Sequence, residues 1–200
     1  MELVWPDKQY LASYTAALER GWFPDNLRGA ESAEEELLRI AASPERFLAA
    51  QVDRDAAAGP FALPDGTLVP RLPGYKRWMW DGEFCGLIGL RWKPGTEALP
   101  PHCLGHIGYT VVPWKRRQGY ATRALHDLLP EAAGEGLRYV EICAEADNLP
   151  SRRVIESNGG LLVEEFVTLP ALGARREVRY RIALTEVISG ASAHLRKPPA

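Results

Sequence analysis

The most constraining feature of the sequence is a strand–loop–helix segment near its middle. A β-rich run, His106–Val112, leads into the basic loop PWKRRQGYA, and a run with helical periodicity follows at Gln118–Gly134. Gly119 stands where the loop becomes a helix, so the free backbone N–H groups of residues 117–121 can point to one place, with the helix dipole behind them. The segment therefore predicts a local anion-binding site.

The familiar phosphate motifs do not account for this segment. The sequence lacks the Gly-x-Gly-x-x-Gly fingerprint of dinucleotide folds and the Gly-x4-Gly-Lys-Ser/Thr loop of nucleoside-triphosphate-binding proteins. The chain has 24 basic and 26 acidic residues, a net charge of −2, which excludes binding of nucleic acid over a broad basic surface. We therefore expect no nucleic-acid partner.

Charge is distributed unevenly along the chain. Residues 1–55 hold eleven acidic and six basic residues, a net charge of −5, whereas residues 56–200 have a net charge of +3. The two parts are therefore expected to do different jobs, and the acidic part favours a cationic substrate.

Hydrophobic periodicity predicts a mixed α/β chain. Helices are expected at Asp7–Arg20, in a segment that Ser32 opens with Leu37, Leu38 and Ile40 as its apolar face, and at Pro44–Arg54, Gln118–Gly134 and Pro150–Ser157. Strands are expected as a short pair within residues 56–74, around a hairpin turn at Asp81-Gly82, and at Tyr75–Trp80, Glu83–Trp92, His106–Val112, Arg138–Glu145, Leu161–Val167 and Arg176–Leu184. We expect a single domain over residues 1–200, with an N-terminal helical part at 1–55, a core at 75–185 and a flexible tail at 190–200.

The cysteines and the start of the chain indicate a compartment. Cys85, Cys103 and Cys143 show no metal-ligand spacing with one another or with a histidine, so we expect no metal and a reducing environment. The first residues, MELVWPDKQY, predict neither a signal peptide nor a membrane span. A cytoplasmic protein without a membrane partner is the expectation.

Two cofactor-type segments carry a resemblance to a known family. Arg116-x-x-Gly119-x-Ala121, directly after a strand that ends in proline, resembles the pyrophosphate loop of the GCN5-related N-acetyltransferase (GNAT) superfamily. Asn148 and Ser151, which open a helix that ends in glycines, resemble that superfamily's second cofactor segment. The resemblance spans roughly residues 75–185 and is tightest over 105–160. Within the superfamily, the sequence is similar to a subgroup of predicted bacterial acetyltransferases.

The resemblance implies a fold, a reaction and a set of cofactor-binding residues. The fold is a single α/β (α+β) GNAT-like domain, a mixed twisted sheet splayed between the strands at 106–112 and 138–145, with helices on both faces. The reaction is transfer of an acetyl group from acetyl-CoA, as cosubstrate, directly to a primary amine. The residues implied are Tyr109, Thr110 and Val111 beside the pantetheine arm, Arg116, Arg117, Gln118, Gly119, Tyr120, Ala121 and Thr122 at the pyrophosphate, and Asn148 and Ser151 at the pantetheine or 3′-phosphate side.

The catalytic side chains depart from the family pattern. Many members carry a tyrosine acid four residues after the position of Ser151 and a glutamate base five residues before that of Asn148, and this sequence has Ile155 and Cys143 there. An ammonium with a pKa of about 10 must still lose a proton before it attacks. Strand alternation puts Glu141, Cys143 and Glu145 on one face, and His106 and Tyr109 lie on the neighbouring strand. The catalytic candidates are therefore His106, Tyr109, Glu141 and Glu145, with Cys143 read as a small buried filler.

The sequence is also compatible with two other functions, and it leaves the acceptor amine undetermined. The missing acid and base also fit a regulatory module that binds CoA or acyl-CoA without turnover, and the basic loop alone fits an anion- or nucleic-acid-binding protein, against which the net charge argues. The acceptor amine, of a small molecule or a peptide, is not identified by the sequence. The last strand and the tail offer a surface for a homodimer.

Overall fold

The computed structural model describes residues 1–63 and 65–184. Contacts between residues divide the chain into two compact units. The first contains Met1–Gly89 and Tyr109–Tyr120, and the second contains Leu90–Gly108 and the chain from Ala121 onward. The tail predicted at 190–200 lies outside the described residues, and the predicted domain boundaries stay a prediction.

The first unit combines helices with a β-sheet. Its elements are α1 (Lys8–Glu19), α2 (Ala30–Ala42), α3 (Pro44–Ala49), β1 (Glu2–Val4), β2 (Val52–Asp53), β3 (Phe61–Ala62), β4 (Leu68–Val69) and β5 (Gly74–Trp80). Strands β6 (Phe84–Arg91) and β7 (Ile107–Val111) each continue along the chain from one unit into the other. The strand order of this first sheet is β1-β5-β6-β7, with β2 also paired to β5, while β3 and β4 pair with each other.

Local sequence signals position α1 and the hairpin as expected. Asp7 caps α1 because its carboxylate accepts the N–H of Gln9 at 3.0 Å. The turn between β5 and β6 contains Gly82 with a φ of +110°, which a residue with a Cβ rarely adopts. The predicted hairpin at Asp81-Gly82 is confirmed, and so is the short strand pair, as β3 and β4.

Helix α2 differs from its prediction at its start and on its apolar face. It begins at Ala30 after the N-cap Gly29, and Ser32 lies in the first turn, where its hydroxyl donates to the Gly29 carbonyl at 2.6 Å. Leu38 is 72% exposed, so it does not belong to the face that packs on the core. The third predicted helix also ends early, at Ala49, because the chain turns there into β2.

An aromatic cluster forms the core of the first unit. The rings of Tyr14 and Trp78 stack with centroids 4.4 Å apart, and Phe84 meets Tyr14 edge-on. The Tyr14 hydroxyl donates to the buried carboxylate of Glu36, and burial followed by the charge of Glu36 raises the pKa of Tyr14. These large side chains are fully buried and bring the N-terminal helix against β5 and β6.

The second unit contains a three-stranded antiparallel sheet with helices. Its elements are α4 (Tyr120–Gly134, whose first residue belongs to the first unit), β8 (Tyr139–Glu145), α5 (Leu149–Glu156), β9 (Leu161–Val167) and β10 (Arg176–Ala183). The strand order is β8-β10-β9, and the register pairs Glu145 with Glu177 and Cys143 with Arg179. Val140, Ile142 and Ala144 are buried, so the opposite face of β8 carries its polar side chains.

These elements confirm the mixed α/β fold class. Strand β7 is an end strand of the first sheet and β8 is an end strand of the second, and the two strands do not pair with each other. Helix α4 begins two residues later than predicted, which leaves Gln118 and Gly119 in the loop before it.

Candidate functional site

The loop before α4 together with the first two residues of that helix, residues 113–121, is called the anion loop below. It starts as a 3-10 turn at Pro113–Lys115, and Arg117 and Gly119 then adopt left-handed φ values of +62° and +76°. Turns of this kind direct successive N–H groups into one concavity, and the first four N–H groups of α4 have no acceptor inside the helix. Because residues 116–119 are also exposed, the loop presents its backbone donors to an external anion.

Asp81 anchors both ends of the anion loop. Its carboxylate accepts from Lys115 Nζ at 2.9 Å and from the Tyr120 hydroxyl at 2.6 Å. Burial alone would raise the pKa of Asp81, but the hydrogen bonds from Tyr120 and Lys115 outweigh it and hold that pKa well below its usual range. Lys115 also contacts Glu83 at 2.8 Å, so this lysine is committed to the protein's own carboxylates.

The strand before the loop is fixed by close packing. Thr110 accepts a hydrogen bond from the Trp22 indole at 3.3 Å, and the Val111 carbonyl accepts from Arg116 Nε at 3.2 Å. A Cβ on Gly86 of β6 would lie 2.8 Å from Val111 Cα and would overlap the Thr110 carbonyl, so only glycine fits there. Tyr109 is half-buried on the same strand.

Asn148 and Ser151 are brought together at the start of α5. The Asn148 side-chain oxygen accepts the Ser151 N–H at 3.1 Å and so caps the helix. Ala121 and Thr122 are half-buried in the first turn of α4, and the Thr122 carbonyl accepts from Asn158 at 3.1 Å. The cofactor roles of all these residues stay predictions.

His106 has the contacts of a structural histidine. The residue is fully buried, and its side-chain Nδ1 accepts the backbone N–H of Glu141 at 2.9 Å, while the backbone N–H of His106 donates to the Glu141 carbonyl at 2.7 Å. Burial lowers its pKa, and Nε2 has no hydrogen-bond partner among the described residues. The imidazole is thus neutral with its accepting nitrogen already occupied, which argues against the predicted role as base.

The polar face of the second sheet, called the carboxylate face below, holds the other acid–base candidates of that unit. It consists of Glu141, Cys143, Glu145, Glu164, Glu177, Arg179 and Arg181. Glu141 contacts Arg181 at 2.7 Å, and Glu145 contacts Arg175 at 2.7 Å. Both predicted candidates are therefore ion-paired with arginines.

Cys143, expected to be a small buried filler, is half-buried on β8, and its lack of a nucleophilic role stays a prediction. Its thiol donates to the Leu104 carbonyl, and burial, the largest influence, raises its pKa to about 11. A thiol with that pKa is protonated at neutral pH. Ile155, at the position of the family's acid, is fully buried and supplies no proton.

Glu177 is a buried titratable residue that the sequence does not single out. It lies opposite Glu145 and is only 7% exposed, and burial followed by the charge of Glu145 raises its pKa to about 7, against the lowering effect of Arg175. Alternation in REVRYR indicates the face on which it stands, but burial depends on distant packing that the sequence does not display. The predicted candidates themselves are divided, with His106, Glu141 and Glu145 in the second unit and Tyr109 in the first.

Two features are absent from the described residues. Within residues 1–63 and 65–184 no helix is long and apolar enough to cross a membrane. The same residues contain no group of three or more His, Cys, Asp or Glu side chains arranged to hold a metal ion. The expectation that the protein uses no metal stays a prediction.

Comparison of the sequence with protein families gives the class of the protein. The family model described as "Acetyltransferase (GNAT) domain" matches residues 26–160. This match covers more than half of the chain, and the protein belongs to the GNAT acetyltransferase family. A search of curated proteins finds no match to this chain.

Solved acetyltransferase structures share the fold at low sequence identity. A microcin self-immunity acetyltransferase in complex with acetyl-CoA and AMP is 11% identical, with a TM-score of 0.54 over 90% of this chain and 91% of that one. A mutant spermidine N-acetyltransferase from Vibrio cholerae is 11% identical, with a TM-score of 0.57 over 94% and 98% of the two chains. An acetyltransferase of Salmonella typhimurium that modifies the N-terminal serine of a 50S ribosomal subunit protein is 15% identical, with a TM-score of 0.54 over 90% and 93%.

Proposed function

We propose that the protein is an acetyl-CoA-dependent N-acetyltransferase that acts directly on a primary amine. The anion loop is the observation that carries the proposal. Its exposed backbone donors, the left-handed Arg117 and Gly119 and the start of α4 fit a diphosphate, the most highly charged part of CoA. Family membership and the acetyl-CoA in the complex of the microcin self-immunity enzyme support the same ligand.

The chain's own residues would bind and orient the cosubstrate. Residues 117–121 would donate their N–H groups to the diphosphate, and the exposed guanidinium groups of Arg116 and Arg117 would add charge-assisted contacts. The backbone of Tyr109–Val111 is proposed to run beside the pantetheine arm as an added strand does. Asn148 and Ser151 are proposed to contact the pantetheine or 3′-phosphate side.

Acetyl-CoA supplies an acetyl group activated as a thioester. In the overall reaction an ammonium loses a proton, its nitrogen bonds to the acetyl carbon, the carbon–sulfur bond breaks, and the products are the amide, the CoA thiol and one proton. The acceptor is proposed to be a cation, because residues 1–55 have a net charge of −5. The amines in the names of the similar structures, spermidine and an N-terminal serine, support a primary amine of a small molecule or a peptide.

Calorimetric titration with acetyl-CoA tests the loop. Proline requires a φ near −65°, so Gly119→Pro, at a φ of +76°, is expected to abolish measurable binding. In Gly119→Ala the left-handed conformation becomes less favourable by about 1–2 kcal/mol relative to other conformations of the free loop. We therefore expect acetyl-CoA binding to weaken roughly tenfold.

Gly136→Ala is the matched control for Gly119→Ala. Gly136 has a φ of +85°, and neither glycine has an atom within 4 Å of an added Cβ, so the backbone strain is similar. The control is expected to bind acetyl-CoA like the wild type. Unchanged binding by Gly119→Pro would contradict the proposed site.

The occupied carboxylates favour one rival, a regulatory module that binds CoA without turnover. Glu141 and Glu145 are ion-paired, His106 is buried and Ile155 is apolar. An acceptor screen that measures release of the CoA thiol separates the two functions. The amines to be tested are spermidine, amino acids, an N-terminal serine peptide and aminoglycosides. Binding without thiol release on any amine would favour the module.

A further inference from the structure

The end of helix α1 lies against β7 and the start of the anion loop. Shortly after the helix, the Trp22 indole donates to the Thr110 hydroxyl on β7 at 3.3 Å. The C-cap residue of the helix, Arg20, places its Cζ over the ring of Trp114 at 3.7 Å from the ring centre, in the first turn of the anion loop. All four residues belong to the first unit. These two contacts fix the guanidinium of Arg20 beside the start of the loop.

The guanidinium of Arg20 keeps its hydrogen-bond donors available. A separation of 3.7 Å is close to contact between two flat groups, so the guanidinium faces the Trp114 ring and its N–H groups point outward in its own plane. Arg20 is exposed, and within the described part of the chain no carboxylate forms an ion pair with it. Trp114 is half-buried and packs against the core of the first unit. The ring is therefore a firm support for a cation whose donors are free.

The cations near this point differ in whether the chain itself neutralises them. Lys115 is paired with two carboxylates. Arg116 donates from Nε to the Val111 carbonyl at 3.2 Å, and no ion pair joins it to a carboxylate of the described residues. Arg20 and Arg116 thus both contact residues within 111–114, and neither charge is compensated there. Cations that lie close together raise the local potential and attract an anion.

The position of Arg20 indicates which anionic group of CoA it meets. CoA carries a diphosphate and, on its ribose, a 3′-phosphate. The diphosphate is proposed to bind the backbone donors of residues 117–121, and the pantetheine arm to run beside Tyr109–Val111. Trp114, over which Arg20 lies, belongs to neither segment. The 3′-phosphate is the remaining anionic group, and two parallel N–H groups of a guanidinium match two oxygens of a phosphate.

We propose that Arg20 binds the 3′-phosphate of CoA and makes the protein prefer CoA and acetyl-CoA over their 3′-dephospho forms. Trp114 acts as a positioning residue, because its ring holds the guanidinium in place. The N-terminal helix thereby adds a side chain to a cosubstrate site that is otherwise built from β7 and the anion loop. This inference rests on the proposed function, since it concerns the same cosubstrate.

Arg20→Met, compared with Arg39→Met, tests the role of the charge. Arg39 is a matched control because it is an exposed arginine in the last turn of α2, in the same unit, and lies over the Phe47 ring at 5.7 Å. In calorimetry we expect Arg20→Met to bind CoA about tenfold more weakly than the wild type, because a charge-assisted hydrogen bond is lost. Its affinity for 3′-dephospho-CoA should stay within twofold. Arg39→Met should bind both ligands like the wild type.

Salt gives a second readout that a purely structural role of Arg20 would not change. The wild-type preference for CoA over 3′-dephospho-CoA should shrink between about 0.1 M and 1 M salt, because salt screens interactions between exposed charges. Arg20→Met should show little preference at either concentration. Arg20→Lys keeps the charge but loses the planar fork, so its preference should lie between those of Arg20→Met and the wild type. A general disturbance of the loop would instead lower the affinities for both ligands together.

Three results would overturn the assignment of Arg20. The first is a wild type that binds CoA and 3′-dephospho-CoA equally well. The second is an Arg20→Met variant that keeps its affinity for CoA or loses the same factor for both ligands, and the third is an equal loss in Arg39→Met. Failure of the proposed function is distinguishable, because the wild type would then transfer no acetyl group to any amine even where it binds CoA with the expected preference.

Discussion

The anion loop and the carboxylate face present polar groups of different kinds. In the loop these groups belong to the backbone, with left-handed Arg117 and Gly119 and the free N–H groups of a helix start. On the carboxylate face they belong to side chains, most of which lie beside an arginine. Glu145 and Glu177 are register partners, and of these two only Glu145 has an ion pair among the described residues.

This difference explains why one kind of site can be predicted from the sequence and the other cannot. A loop that binds through its backbone needs glycine and short-range order, which are visible in a few consecutive residues. A base depends on desolvation and on the absence of a partner, and both are set by residues far apart in the chain. The anion loop is therefore recognisable in the sequence, whereas the environment of a titratable side chain such as Glu177 is not.

The largest expected effect concerns the support of the carboxylate face. His106→Ala would leave the buried N–H of Glu141 without an acceptor and open a cavity, and we expect a loss of roughly 2–4 kcal/mol in the free energy of unfolding. Urea denaturation measures this loss. A fall of 100-fold or more in the rate per folded molecule would instead make His106 a base and break the contrast between the two regions.

A smaller effect is expected at the anchor of the anion loop. Asp81→Asn removes the charge that holds Lys115 and Tyr120, and we expect acetyl-CoA binding to weaken about tenfold in calorimetry. The effect should be constant from pH 5 to pH 9, because the pKa of Asp81 lies well below that range.

Glu83→Gln is the control for Asp81→Asn. Glu83 contacts the same lysine, but its side chain is 51% exposed and no hydrogen bond joins it to Tyr120 among the described residues. We expect less than a twofold change in affinity. Equal losses from the two variants would mean that the charge of Lys115, and not the anchoring of both loop ends, controls binding.

The smallest effect is expected at Cys143. Its thiol donates to the Leu104 carbonyl and a serine hydroxyl can do the same, so Cys143→Ser should change the transfer rate less than about twofold. With a pKa of about 11 the native thiol should also react with iodoacetamide far more slowly than in the unfolded protein. Rapid alkylation coupled to loss of activity would place a nucleophile on the carboxylate face.

Local signals in the sequence predict most of the long elements. Helix α1 and strands β8 and β9 are recovered within about two residues from their apolar periodicity. For α1 the N-cap Asp7 and the left-handed Gly21 after its C-cap also mark the two ends. Strand β1 is not predicted, since three residues show no periodicity and the strand is defined by its pairing with β5, as in Glu2 with Trp80. The start of α2 is misplaced because Ser32 bonds backward to Gly29 and does not cap the helix.

The candidate site divides in the same way. The sequence predicts Arg116 and Gly119 in an anion loop, but not the Asp81 anchor, because that contact joins residues 34 positions apart for Lys115. The environment of Glu177 escapes prediction because its burial arises only when β10 lies between β8 and β9. Strand alternation gives the face of a residue and not its pKa.

The left-handed conformation of Arg117 has a consequence for how fast a ligand is captured. A non-glycine residue has a higher conformational free energy at a φ of +62°, and in this protein folding of the chain already imposes that conformation on Arg117. The loop is thus preorganised, and binding of the proposed diphosphate would cost less conformational entropy of the loop. Association should then be governed by diffusion and local charge more than by rearrangement of the loop, so that differences in affinity among loop variants appear mainly as differences in residence time.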